Sequence, residues 1–170
     1  APNNASYLNG AKNRLRNMYP SLLDAAFYYS GQKDPKVLDF AAAYIELPKL
    51  KIFQDELLPR ASNYATVVYV AAQSAYNQQK YTQAIDFFKE YLSIGDKTQE
   101  KDCYVYLNMI YMAQKNYVEQ EKVLEEAIAK YPVSLDFLYN LVNVHIATNN
   151  MPKLLVTIDR ILEIDPNNMQ

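Results

Sequence analysis

Three stretches of this sequence follow one plan. "YTQAIDFFKEYL" starts at Tyr81, "YVEQEKVLEEAI" at Tyr117 and "MPKLLVTIDRIL" at Met151, so 36 residues separate the first two starts and 34 the next two. Each reads as an amphipathic helix, with apolar residues at spacings of three and four. A lone helix cannot bury one face against itself. A chain that repeats such a unit at a nearly fixed interval buries those faces by stacking the copies. The interval therefore limits the fold to a helical array before any other property is weighed.

Helical periodicity fills most of the remaining sequence, interrupted by "SGQKD", "NQQK", "IGDKTQ", "AQKN", "YPVS" and "ATNN". Strand-type alternation is absent, and three glycines are too few for the tight turns of a sandwich or barrel. Breaks this short fold each helix back on its predecessor, giving antiparallel pairs. In one pair the first helix carries Val68, Ala71, Ala72 and Ala75, and the second carries Ala84, Phe88 and Tyr91. The next has Tyr104, Leu107 and Tyr111, then Tyr117, Leu124 and Ala127, closing at Pro132. The last has Leu138, Leu141, Val142 and His145, then Met151, Leu154, Ile158 and Ile161, closing at Pro166. Small residues let two axes approach, large ones fill the space opposite, and a proline beyond the second helix ends it.

This pattern resembles the tetratricopeptide repeat (TPR) family, a 34-residue helix–turn–helix with Leu and Tyr in its first helix, Ala and Phe in its second, and a closing Pro. "YLNMIYMAQKNYVEQEKVLEEAIAKYP" and "LYNLVNVHIATNNMPKLLVTIDRILEIDPNN" carry the resemblance, and "VVYVAAQSAYNQQKYTQAIDFFKEYL" shares it without the proline. It implies an all-α, right-handed superhelical solenoid of antiparallel helix pairs. The expected divisions are an N-terminal helix at 1–18, a degenerate repeat at 19–52, and a linker with a short helical turn at 53–64. Full repeats follow at 65–98, 101–134 and 135–168. Asn108 and Val142 stand where the family places a small residue, which predicts looser packing there.

"DAAFYYSGQKD" and "AAAYIELPKLKIF" also resemble exported bacterial TPR proteins of unassigned role. That resemblance implies a periplasmic or otherwise exported location, with the cytoplasm left open. The opening "APNNASYLNG" has neither an initiator Met nor an apolar signal core, so it reads as a cut in a longer protein.

The residues do not assemble a catalytic site, and the chain is expected to be non-enzymatic and without cofactor or metal. His145 is the only histidine, whereas a metal site or triad generally wants a second imidazole or a Cys cluster. It reads as a packing histidine with one nitrogen satisfied. Cys103 opens a first helix, where the helix dipole lowers a thiol pKa; the competing reading is a small, half-buried apolar residue. Glu119, Glu121, Glu125 and Glu126 spread over a wide helical arc, and Glu126 with Lys130 fits a solvated face. A net charge of −2 offers no cationic surface for nucleic acid, and no apolar run is long enough to span a bilayer.

In a TPR the first helices line a concave groove, and the family's groove positions carry over here to particular residues. They are Leu23 and Phe27; Tyr69, Gln73, Tyr76 and Asn77; Val105, Met109 and Met112; and Tyr139, Asn143 and Ile146. The resemblance thus implies an apolar, Tyr- and Met-lined surface for a peptide or protein segment, with Gln73 and Asn143 pairing its backbone. The family's clamp for acidic C-termini needs cations that these positions lack. In a tight superhelix Tyr69, Tyr76 and Met109 would instead pack across the groove. The alternative function is self-association, possible as a homodimer, through Leu154, Ile158 and Ile161 of the uncapped last repeat.

Overall fold

The computed structural model describes residues 4–167 of the chain, and among them all regular structure is helical. Residues 1–3 of the expected first helix, residue 168 at the end of the expected last repeat, and residues 169–170 beyond it lie outside the described residues. The chain divides into two compact units, residues 1–98 and 99–170.

Unit 1 contains α1 (Asn4–Gly31), α2 (Val37–Glu46), two 3-10 turns (Leu47–Lys49 and Lys51–Phe53), α3 (Tyr64–Asn77) and α4 (Tyr81–Ile94). The expected break near residue 18 is absent, because α1 runs on through Pro20. Proline removes one backbone donor and costs a helix interior about 3 kcal/mol. Packing on both sides of it overrides that cost: Tyr19 stacks on Tyr44 at 4.4 Å between centroids, and Ala26 is buried. Farther out, the Arg16 guanidinium donates through Nε (2.6 Å) and Nη2 (2.7 Å) to the two Glu56 oxygens, and Lys12 adds an ion pair. These hydrogen bonds hold the Glu56 carboxyl at about 2, well below its ordinary value. The segment joining α2 to α3 is thereby tied to the first half of α1.

Unit 2 is two plain hairpins, α5 (Glu100–Ala113) with α6 (Tyr117–Lys130) and α7 (Leu135–Ala147) with α8 (Met151–Ile164). The pattern of small against large residues holds in the packing. In unit 1, Ala71, Ala72, Ala75 and Ala84 are fully buried beside Phe88 and Tyr91. In unit 2, Leu107, Leu124, Ala127, Leu138 and Leu141 form the core. Asn108 does not loosen its hairpin: it is buried, and Gln120 Nε2 of α6 donates to its Oδ1 at 2.9 Å. Glu100, also buried, accepts from Lys130 Nζ (2.8 Å) and the Tyr131 hydroxyl (2.9 Å), fastening the start of α5 to the end of α6.

One turn recurs in four hairpins. Lys33, Gln79, Lys115 and Asn149 adopt left-handed φ values of 54°, 58°, 52° and 53°. In the three-residue turns the next residue bonds back five positions, Lys80 N to Ala75 O, Asn116 N to Tyr111 O and Asn150 N to His145 O. This is the Schellman arrangement, built here without glycine. Glycine performs the same office after α4, where Gly95 at φ 81° ends the helix of the repeat that lacks a closing proline.

Candidate functional site

In unit 1 the groove residues separate into core and surface. Tyr69 is 8 % exposed and belongs to the core, with its ring 5.7 Å from Tyr91 and 6.3 Å from Phe88, and its hydroxyl accepting from Gln73 Nε2 at 3.0 Å. Tyr76 is half-buried against Tyr81, and Leu23 and Phe27 are half-buried on α1. Gln73 and the exposed Asn77 line a cleft of about 470 Å³ shared by the α1–α2 turn and α3. Ser30, Lys33 and Asp34 form its other wall. Gln78 braces it by donating from Nε2 to the Pro35 carbonyl (2.9 Å) and to Ser74 Oγ (3.2 Å). Gln78 was not legible as a site residue because it lies just beyond the last groove position of its repeat.

In unit 2 the same repeat positions are open. Val105, Met109 and Met112 share one face of α5 and are 38, 39 and 52 % exposed. Tyr139, Asn143 and Ile146 occupy the equivalent face of α7, with Tyr139 and Ile146 at 39 and 60 %. Three apolar side chains on α5 and two on α7 thus meet solvent without a covering element of this unit.

The C-terminal surface needs correction. Leu154 and Ile161 face the α7–α8 core and are buried, and Ile158 is half-buried. The large apolar residues that α8 exposes are Met151, Leu155 and Val156, and of these Met151 and Leu155 stand in line with the half-buried Ile158 and Leu162 at helical spacing.

Neither reactive-group candidate is activated. Cys103 is fully buried, and burial first, then Asp102 and Glu100, pushes its thiol up to about 12. His145 is buried as a packing residue, but its Nδ1 has no hydrogen-bond partner. Desolvation lowers its pKa, so the ring is neutral at neutral pH. Among the described residues no group of His, Cys, Asp or Glu is placed to hold a metal, and no helix is long and apolar enough to cross a membrane.

The helical hairpins, their spacing and their small-to-large packing make a TPR-like helical-repeat fold. No protein-family model matches the sequence, and no curated protein matches it. Solved structures do match the fold. A crystal structure of MamA is similar at a TM-score of 0.61 and 13 % identity, over 95 % of this chain and 86 % of that one. MamA from Desulfovibrio magneticus gives 0.56 and 14 %, over 89 % and 76 %. A putative kinesin light chain of Podospora anserina with TPR-like repeats gives 0.53 and 13 %, over 92 % and 78 %.

Proposed function

We propose that the chain is a non-enzymatic scaffold that binds a peptide or protein segment on its first helices. The observation that carries this reading is the exposed apolar stripe of Val105, Met109 and Met112 on α5, matched by Tyr139 and Ile146 on α7. Unbranched Met side chains adapt to varied apolar partners, and Tyr supplies contact area with little conformational loss. An amphipathic segment with apolar residues at helical spacing fits such a surface, and Asn143 can pair its exposed polar groups. In unit 1 the amides of Gln73 and Asn77 suit the backbone of an extended stretch.

The test is selection from a displayed random peptide library, followed by affinity measurement on individual peptides. Met109→Asp combined with Tyr139→Asp should weaken the selected peptides at least ~10-fold, since each loss of about 1.4 kcal/mol is tenfold. Both side chains are substantially exposed, so helicity should be unchanged. Equal binding by the double variant would move recognition elsewhere.

A second reading rests on the stripe of Met151, Leu155, Ile158 and Leu162 on α8, an apolar surface suited to a second copy of the chain. Mass that rises with concentration and falls back in Leu155→Asp supports it. A single mass across concentrations removes it.

A further inference from the structure

On the other side of unit 2 from the α5 and α7 stripes, one cleft combines features that hairpin packing does not require. It measures about 390 Å³, opens where α6, α7 and α8 meet, and is lined by His145, the only histidine of the sequence. His145 is 1 % exposed and its Nδ1 is buried with no partner. An orphaned buried nitrogen carries a free-energy penalty that packing alone does not explain.

The walls hold two charges of each sign. Glu121 and Glu125 stand one turn apart on α6, and Lys153 and Arg160 stand two turns apart on α8. Lys153 is paired with Glu121, and Arg160 Nη1 with Glu125 Oε2 at 3.4 Å. These pairs do not exhaust their groups. A carboxylate accepts at both oxygens, an ammonium has three donors and a guanidinium five.

This array selects against most ligand classes. A simple anion meets two carboxylates, and a simple cation meets an ammonium and a guanidinium. An uncharged apolar molecule would desolvate four charges and leave the imidazole unpaired. A metal lacks its donor set, since among the described residues no three metal-binding groups converge. A ligand bearing both charges meets complementary groups on each side. The volume lies within the range of small-molecule sites, about 300–1,000 Å³. Val156 and Pro152 add an apolar surface on the α8 side.

We propose that this cleft binds a small zwitterion, an α-amino acid with an aliphatic side chain. Its ammonium sits against Glu121 and Glu125, and its carboxylate against Lys153 and Arg160. The positive end of α8, at Pro152 and Lys153, favours the carboxylate on that side. A turn of the ring that brings its buried Nδ1 to the cleft lets a polar group of the ligand supply the hydrogen bond that His145 lacks, and the side chain rests on Val156.

The single histidine is its own reporter. The full chain, labelled with nitrogen-15, is titrated with L-leucine while the imidazole signals are followed by NMR. Two probes are run beside it: 4-methylpentanoate, which is leucine without its amine, and 3-methylbutylamine, which is leucine without its carboxylate. The expected result is a saturable shift of the His145 signals with leucine and none with either probe at the same concentration. Glu125→Gln and Arg160→Gln, both at the accessible rim, should each weaken leucine roughly tenfold, the effect of about 1.4 kcal/mol, with helicity intact. No saturable shift in the wild type would overturn the proposal, as would equal responses to leucine and the probes. Unaltered binding in both variants would also overturn it.

Discussion

The Asn108–Gln120 pair offers a sharp test of how the α5–α6 hairpin is held. Both side chains are buried and joined by one hydrogen bond of 2.9 Å. Leucine is close to the shape of asparagine, and methionine to that of glutamine. Asn108→Leu alone leaves the Gln120 amide without its acceptor, and Gln120→Met alone leaves Asn108 Oδ1 without its donor. Each orphaned amide costs about 1–3 kcal/mol, partly offset by the added apolar burial. For a chain of this size that lowers Tm by roughly 2–12 °C. The double variant removes both polar groups, so it should lie near the wild type, less a small overpacking cost. Thermal and urea unfolding followed by circular dichroism would give the four corners of the cycle. The expected coupling is at least ~1 kcal/mol in favour of the double variant. If the two single losses simply add, the buried amides are independent and the reasoning fails.

Three further outcomes follow from the burial pattern. Tyr69→Ala should destabilise the chain by about 3 kcal/mol, as aromatic truncation in a core does. Met109→Ala at the exposed stripe should stay within about 0.5 kcal/mol, and urea midpoints would separate the two. The lowered pKa of His145 means that the unfolded chain binds this proton more readily than the folded one. Its contribution is therefore complete above the ordinary histidine pKa of about 6.5 and is lost as pH falls from there towards the lower folded-state pKa. His145→Gln should flatten that part of a stability–pH profile, and an unchanged slope would assign the effect to other groups. Cys103, with its thiol raised to about 12, should resist a thiol reagent at mildly alkaline pH in the native chain and react promptly once urea unfolds it. Prompt native labelling would contradict its burial.

Much of the fold was legible because a repeat records itself in spacing. The sequence starts at Tyr81, Tyr117 and Met151 coincide with the first residues of α4, α6 and α8. What spacing could not convey was depth. Tyr69 and Tyr139 are the same residue type at the same repeat position, yet one is 8 % and the other 39 % exposed. The difference lies in what each meets, since Phe88 and Tyr91 stand beside Tyr69 and close over its ring. Likewise the repeat assignment divides the chain after residue 18, yet α1 runs through Pro20, with contacts at Tyr19 and Ala26 holding it. The α8 face shows the same limit: Leu154 and Leu155 are adjacent apolar residues, and only packing shows that Leu154 turns inward. The charges of the α6–α8 cleft did leave a trace. Glu121 and Lys153, and Glu125 and Arg160, are 32 and 35 residues apart, close to one repeat, as partners on successive second helices should be.

The hairpin turns carry a consequence for how the chain reaches this structure. In each unit the helices pack chiefly on their immediate neighbours in sequence, joined across turns such as 78–80, 114–116 and 148–150. Closing so short a loop costs little entropy, and proteins dominated by local contacts fold in microseconds to milliseconds. A hairpin can therefore form as soon as its second helix leaves the ribosome, well before synthesis of the next one ends, because translation proceeds at only about 5–20 residues per second. The nascent chain would then gain its hairpins one at a time, each closing its small-residue seam early and being held once the next hairpin stacks on it.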